Sequence, residues 1–332
     1  MRINPNQVQR VEHFGTTTNP HLHIDQLLTN VVIAYRPEGM IVDRIMPMVP
    51  VGKQSDLYIV YDRGDALRVE SAIRSPGTPA RLVSRAVGSD SYFARNYALK
   101  IPVTIEDRVN ADPAFVQHLL NGHGMFLTDL HMLDWEQRVA GRVTTVANVG
   151  SGAGIASAWN TDNANPIGDI NQAIDNVHFS TGKRPNRMAM GVAGWNSLRR
   201  HTDVRNIILG VNNGGGYPNT RQVAALFELE EINVSGAFQN TANEAQAESL
   251  SSIWQDHVII YKTPAGNRPS IEQPSAFYSF RWTDGRLANM QVERHPYDTK
   301  IKAEEIEVGY YQDEKITAPT YAFVLRAVNS ST

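Results

Sequence analysis

The sequence predicts an α+β fold in which strand runs and helix runs are segregated along the chain. Three observations carry that expectation. A helical pattern far longer than an ordinary three-turn helix fills residues 112–146. Strand-type runs flank it, at 57–61 and 97–103 on one side and at 306–310 and 321–325 near the C-terminus. A section of short helices and strands occupies 167–282 between them.

The long helix opens with Asp112-Pro113, an N-cap type followed by a residue suited to the first helical position. Phe115, Leu119, Phe126, Leu130, Leu133 and Ala140 recur at helical spacing, with Val116, Leu120 and Leu127 widening the stripe. Asp129, Asp134, Glu136, Arg138 and Arg142 are expected on the opposite, solvated side. Gly122 and Gly124 each lower helix propensity by about 1 kcal/mol relative to alanine, so a kink or break is expected there if anywhere. No catalytic motif lies on this helix.

Composition narrows the class. The 332 residues can bury a sizeable core, and 42% hydrophobic with 20% charged residues is ordinary for a globular chain. A net charge of -3 argues against a surface built to wrap nucleic acid. With no cysteine there are no disulfides and no thiolate chemistry, which suits a reducing cytoplasm. No apolar run reaches the roughly 18 residues that a membrane span needs.

Residues 1–30 read as a polar, extended arm, and Leu27–Tyr35 as a short helix. Between Asp62 and Ser91 lie three glycines, two prolines, five arginines and four acids, with few large apolar residues. Such a segment buries no core of its own, yet strand runs flank it, which predicts a long projecting hairpin. Gly150–Gly154 reads as a linker. Ile167, Ile170, Ile174 and Val177 predict a helix closed by Gly182, and Met188–Met190 a strand. Trp195, Leu198 and Arg199 predict a further short helix, and Thr220 is the expected N-cap of a helix through Phe227. Ile232 and Val234, His257–Tyr261 and Phe277–Trp282 predict strands. Gln312–Lys315 is expected to turn a final hairpin between 306–310 and 321–325.

Three stretches carry a family resemblance. The first is Ile41-Val42-Asp43-Arg44-Ile45-Met46-Pro47-Met48-Val49-Pro50-Val51-Gly52-Lys53-Gln54-Ser55-Asp56-Leu57-Tyr58. The second runs from Gly182-Lys183-Arg184-Pro185-Asn186 through Met188, Met190, Trp195, Leu198 and His201 to Val204. The third joins Val258–Tyr261 to Pro274-Ser275 and Phe280-Arg281-Trp282. In order and spacing these resemble the major capsid protein of tailed bacteriophages, the Hong Kong 97-type fold. The resemblance implies an N-terminal arm (1–50), an E-loop hairpin with its flanking strands (51–104) and a P-domain spine helix (105–150). It further implies an A-domain (151–284) and a return to the P-domain sheet (285–332).

The resemblance also implies hexamers and pentamers closing into an icosahedral head around double-stranded DNA, with a portal protein at one vertex. It places the protein in the virion, assembled in the host bacterial cytoplasm, with no membrane partner. The hairpin begins near residue 55, too early for a fused scaffolding domain, so a separate scaffolding protein is expected. A decoration protein is a further candidate partner. The founding member welds subunits through a hairpin lysine, but no lysine occurs here from Gln54 to Asn96. Arg63, Arg68, Arg74, Arg81 and Arg85 are instead the candidate inter-subunit contacts, since guanidinium groups pair with carboxylates but are poor nucleophiles. Contact with the enclosed DNA is expected to be weak and non-specific.

Two other readings were weighed: an encapsulin-like shell protein, and a soluble metal-dependent hydrolase using the central histidines. His118, His123 and His131 do not reproduce the i, i+4 zinc spacing, and His21 and His23 lack a third ligand nearby. Gly150–Gly154 is neither a dinucleotide fingerprint nor a P-loop. Asn212–Gly216 reads as a surface loop, and Glu230-Glu231 and Glu304-Glu305 as solvated faces. No catalytic residue, cofactor site or metal ligand is predicted.

Overall fold

The computed structural model describes residues 23–24, 28–29, 38–61, 64, 67–110, 113–210, 216–267, 274–283 and 290–329. Asp112, Arg63, His21, residues 1–22, most of Leu27–Tyr35 and all but Gly216 of the Asn212–Gly216 loop lie outside the described residues.

Five strands precede the long helix: β1 (His23–Ile24), β2 (Met48–Val51), β3 (Ser55–Tyr61), β4 (Val87–Phe93) and β5 (Arg95–Thr104). Ten follow it: β6 (Gly152–Gly154), β7 (Arg187–Gly191), β8 (Glu231–Ser235), β9 (Phe238–Asn240), β10 (Leu250–Ser252), β11 (Val258–Tyr261), β12 (Phe277–Trp282), β13 (Gln291–Asp298), β14 (Ala303–Ile316) and β15 (Ala322–Arg326). A six-stranded sheet runs β1-β13-β14-β12-β2, with β5 also on β14, and a five-stranded sheet runs β6-β15-β11-β7-β8. Two isolated pairs, β3 with β4 and β9 with β10, stand apart from these sheets.

The long helix spans Pro113–Val143 without interruption, about 46 Å at 1.5 Å per residue, so neither Gly122 nor Gly124 breaks it. Its buried face differs from the expected stripe. Leu120, Leu127, Thr128, His131, Met132, Trp135, Glu136, Val139, Ala140 and Val143 turn inward, while Phe126 and Leu130 remain exposed. The reason is that the inward polar groups find partners there. His131 Nε2 lies 2.7 Å from the Val308 carbonyl oxygen, and Thr128 Oγ1 donates to the Gly124 carbonyl at 2.8 Å. Polar residues whose hydrogen bonds are met tolerate burial, and the helix rotates to suit them.

The five-stranded sheet is buried on both faces. Ile259, Tyr261, Ala189, Ala322 and Val324 join the core beneath the spine helix. Their alternates Val258, Ile260, Met188, Met190, Phe323 and Leu325 join a second core, roofed by helices Pro166–Thr181, Val192–Arg200 and Thr220–Leu226. Continuous apolar runs such as Val258–Tyr261 follow from this two-sided burial.

Four expectations are corrected. Asn219, not Thr220, caps the helix Thr220–Leu226, in a reciprocal capping box with Gln222. Gln312–Lys315 is not a turn but the last part of the 14-residue β14. Gln312 and Glu314 point into the interior, where Arg281 Nε donates to Gln312 Oε1 at 2.9 Å and Arg138 pairs with Glu314 at 2.9 Å. In consequence the final hairpin does not form. β15 crosses to the five-stranded sheet beside β11, while β12, expected in the central section, pairs with β14 and β2. Finally, Gly152–Gly154 is a strand rather than a linker, and a Cβ on Gly152 would lie 2.8 Å from the Val324 carbonyl oxygen.

Two glycines make opposite predictions. Gly39 has φ +79° and lies against the Gly236 backbone, whereas Gly122 is helical with open space around it. Gly39→Ala is expected to lower subunit stability by more than about 1 kcal/mol. Gly122→Ala should raise it by about 0.5–1 kcal/mol. Urea unfolding of unassembled subunits measures both.

Candidate assembly interface

β3 and β4 pair over seven positions, from Ser55↔Phe93 to Tyr61↔Val87. Among the described residues, the contacts that anchor the pair lie at its base. Tyr92 stacks on Phe280 at 4.8 Å and Tyr58 meets the same ring at 5.1 Å. The Ala94 amide donates to the Gln54 carbonyl at 2.8 Å, and the Phe93 amide to Asp313 Oδ2 at 3.0 Å. Tyr58 Oη donates to Asp90 Oδ2 at 2.6 Å, which holds the Asp90 carboxyl below its usual range.

Beyond that base the hairpin and its loop face solvent. Leu57 is 65% exposed, Val69 97%, Ile73 94% and Leu82 94%. A lone two-stranded hairpin is marginal in water, and this one carries apolar side chains that stay largely exposed among the described residues. Phe126 and Leu130, one turn apart on the spine helix, add a second uncovered apolar pair.

The structure places the candidate arginines unevenly. Arg81 forms an ion pair with Glu70 of the same loop at 2.9 Å, which fastens the loop to itself. Arg68, Arg74 and Arg85 stand exposed on the same segment, and Arg63 is outside the described residues. His118 is exposed, His123 half-buried and His131 buried, so the three do not converge.

Sequence reading missed the residue that joins the elements. Glu136 is fully buried in the spine helix. Its Oε2 accepts from the amides of Ile41 at 3.1 Å and Val42 at 2.9 Å. Its Oε1 accepts from Trp254 Nε1 at 2.6 Å, Ser235 Oγ at 3.1 Å and, more weakly, Ile41 N at 3.3 Å. Burial holds its carboxyl above the usual carboxylate range, and these donors offset only part of that rise. Donors from three chain segments aimed at two oxygens favour the charged form. A buried hydrophobic-to-charge step in an otherwise apolar repeat, Trp135-Glu136 before Val139-Ala140, was the available signal.

A second network binds the spine helix to the six-stranded sheet. Arg138 stacks over Tyr97 at 3.9 Å, donates to Tyr310 Oη at 3.2 Å and contacts Asp134. Arg142 donates to the Glu314 carbonyl, and Arg281 lies over the Tyr310 ring at 4.7 Å.

No family model matches the chain. The major capsid protein of Pseudomonas phage JBD67 is 30% identical over 317 residues, spanning 92% of this chain and 97% of that one. The chain belongs to the phage major capsid protein family. Among solved structures, a phage-related protein from Bordetella bronchiseptica RB50 is similar with TM-score 0.71 at 19% identity, covering 93% of this chain and 99% of its own. The capsid protein of cyanophage P-SCSP1u matches with TM-score 0.54 at 10% identity, over 90% of each chain. These likenesses establish the Hong Kong 97-like capsid fold for this major capsid protein.

Two predictions follow from the junction and its neighbour. Glu136→Ala leaves buried amide and indole donors unpaired and should cost subunits about 3–5 kcal/mol in urea unfolding. An unchanged midpoint would contradict the role given to Glu136. His131 titrates the other way from a surface histidine, because burial, and then the charges of Arg138 and Arg281, lower its pKa. The unfolded chain therefore binds the extra proton first, and stability falls as pH drops below the ordinary 6.5. Unfolding midpoints between pH 5 and 8 should show this loss, and His131→Gln should reduce it.

Proposed function

We propose that this major capsid protein self-assembles as hexamers and pentamers into the icosahedral head that encloses the double-stranded DNA genome. The observation that carries the reading is the hairpin, whose apolar side chains stand exposed among the described residues and would gain cover from another copy. A closed homo-oligomer supplies that cover to every subunit by symmetry. In this reading residues 1–50 are the arm and 51–104 the E-loop with its flanking strands. Residues 105–150 carry the spine, and the A-domain and peripheral return divide the remainder, with one strand exchanged in each direction.

Arg63, Arg68, Arg74, Arg81 and Arg85 are the inter-subunit contacts of this reading, and Arg81 also stiffens the loop through Glu70. Lysine is absent from the hairpin, so the shell is held by non-covalent contacts. A separate scaffolding protein, a portal protein at one vertex and a decoration protein are the further partners we assign. The net charge of -3 supports a lining that confines DNA with weak, non-specific contact. The protein is structural rather than catalytic, assembled in the bacterial cytoplasm and resident in the virion.

Deleting residues 67–86 tests the hairpin's role between subunits. Circular dichroism should show near-native helix content, while electron microscopy should show no closed shells. Particles of normal size from the deletion variant would refute it. Single Arg→Ala changes at Arg68, Arg74 or Arg85 should be mild, because exposed pairs contribute at most about 1 kcal/mol.

A further inference from the structure

The six-stranded sheet packs its apolar side against the spine helix and keeps a polar face on the other. On that face Gln291, Glu293 and His295 follow one another along β13. The register Glu293↔Glu307 and Gln291↔Gly309 sets β14 beside them. Two carboxylates directly opposed across a ladder repel and weaken it. His295 Nε2 lies 2.8 Å from Glu307 Oε2, and one ligand atom from each of Glu293, His295 and Glu307 falls within 4.8 Å of the others.

Nearby lysine and arginine side chains pair directly with other acids, although Lys100 also feels the Glu307 charge. Lys100 pairs with Glu305 at 2.7 Å, and Arg108 and Arg294 both reach Glu304. A cavity of about 90 Å³ opens beside the two carboxylates, lined by Asn96, Gln291, Glu293, Glu307, Tyr310 and Tyr311 among others. At about 30 Å³ per water in the liquid, it has room for the waters that complete a coordination shell.

We propose that Glu293, His295 and Glu307 form a binding site for a divalent cation of the zinc or manganese class. One imidazole nitrogen with carboxylate oxygens suits these ions, whereas calcium and magnesium favour oxygen alone. The ion would offset the opposed carboxylates and tie β13 to β14, the strands that carry the β1 edge of the sheet. The proposal rests on the fold and is independent of the shell reading.

Isothermal titration of chelator-treated, full-length subunits with zinc chloride and with manganese chloride tests it, with magnesium chloride as the hard-cation comparison. One saturable site per chain is expected for zinc or manganese. Glu293→Gln and His295→Ala should each weaken it by more than about tenfold, a loss typical of disturbed ligation. His118→Ala, on the exposed face of the spine helix, should bind like the parent chain. Thermal unfolding checks each variant for its fold, and Glu307→Gln replaces either one that fails. Absence of saturable zinc or manganese binding in the parent chain overturns the proposal. So does unchanged binding in the folded ligand variants, or a magnesium affinity equal to that for zinc and manganese.

Discussion

A single buried carboxylate holds the parts of this subunit in register. Glu136 sits where the spine helix, the segment entering at Ile41–Val42 and the Ser235–Trp254 corner of the central region meet. An isolated buried charge is prohibitively costly, so the site exists only while the other two segments present their donors to the helix carboxylate together. That makes the junction cooperative. Losing any one segment exposes the others to an unsatisfied charge, and the angle between spine and central sheet is fixed by hydrogen-bond geometry rather than by apolar contact alone.

The Arg138–Glu314–Gln312–Arg281 network does similar work about half a turn along the helix, between the spine and the six-stranded sheet. Aromatic faces complete it, with Tyr97 under Arg138 and Trp135 and Tyr310 near Arg281. Weakly hydrated guanidinium groups suit such half-dry surroundings better than lysine would. The two networks together place polar specificity at both contacts of the helix and leave apolar packing to fill the space between.

Much of the fold was legible in the sequence because its periodicities are local. Ile306, Val308 and Tyr310 alternate because β14 has one face on the core, and Ile170, Ile174 and Val177 repeat because their helix has one buried side. The misreadings share a different cause. Helical periodicity puts Glu136 on the solvated side, and Gln312 and Glu314 suit a turn, because a polar residue considered alone favours water. Their partners lie far away in the chain, 94 to 118 residues in the case of Glu136. The candidate arginines were visible as a lysine-free basic hairpin, but composition alone does not say that Arg81 engages Glu70. The Glu293-x-His295 alternation was a readable signal, yet only strand pairing brings Glu307 to it.

The exchange of strands between the two sheets has a mechanical consequence. β12 leaves the central section to pair with β14, and β15 leaves β14 to pair with β11, after a connection of only five residues. The chain is thereby stitched through both sheets, and no single cut in the sequence frees one from the other. A load pulling the sheets apart would meet hydrogen bonds strained in shear along whole strands, where a hinged linker would simply swing open. Resistance to separation of the two sheets is thus written into the chain path of each subunit, before any neighbour is added.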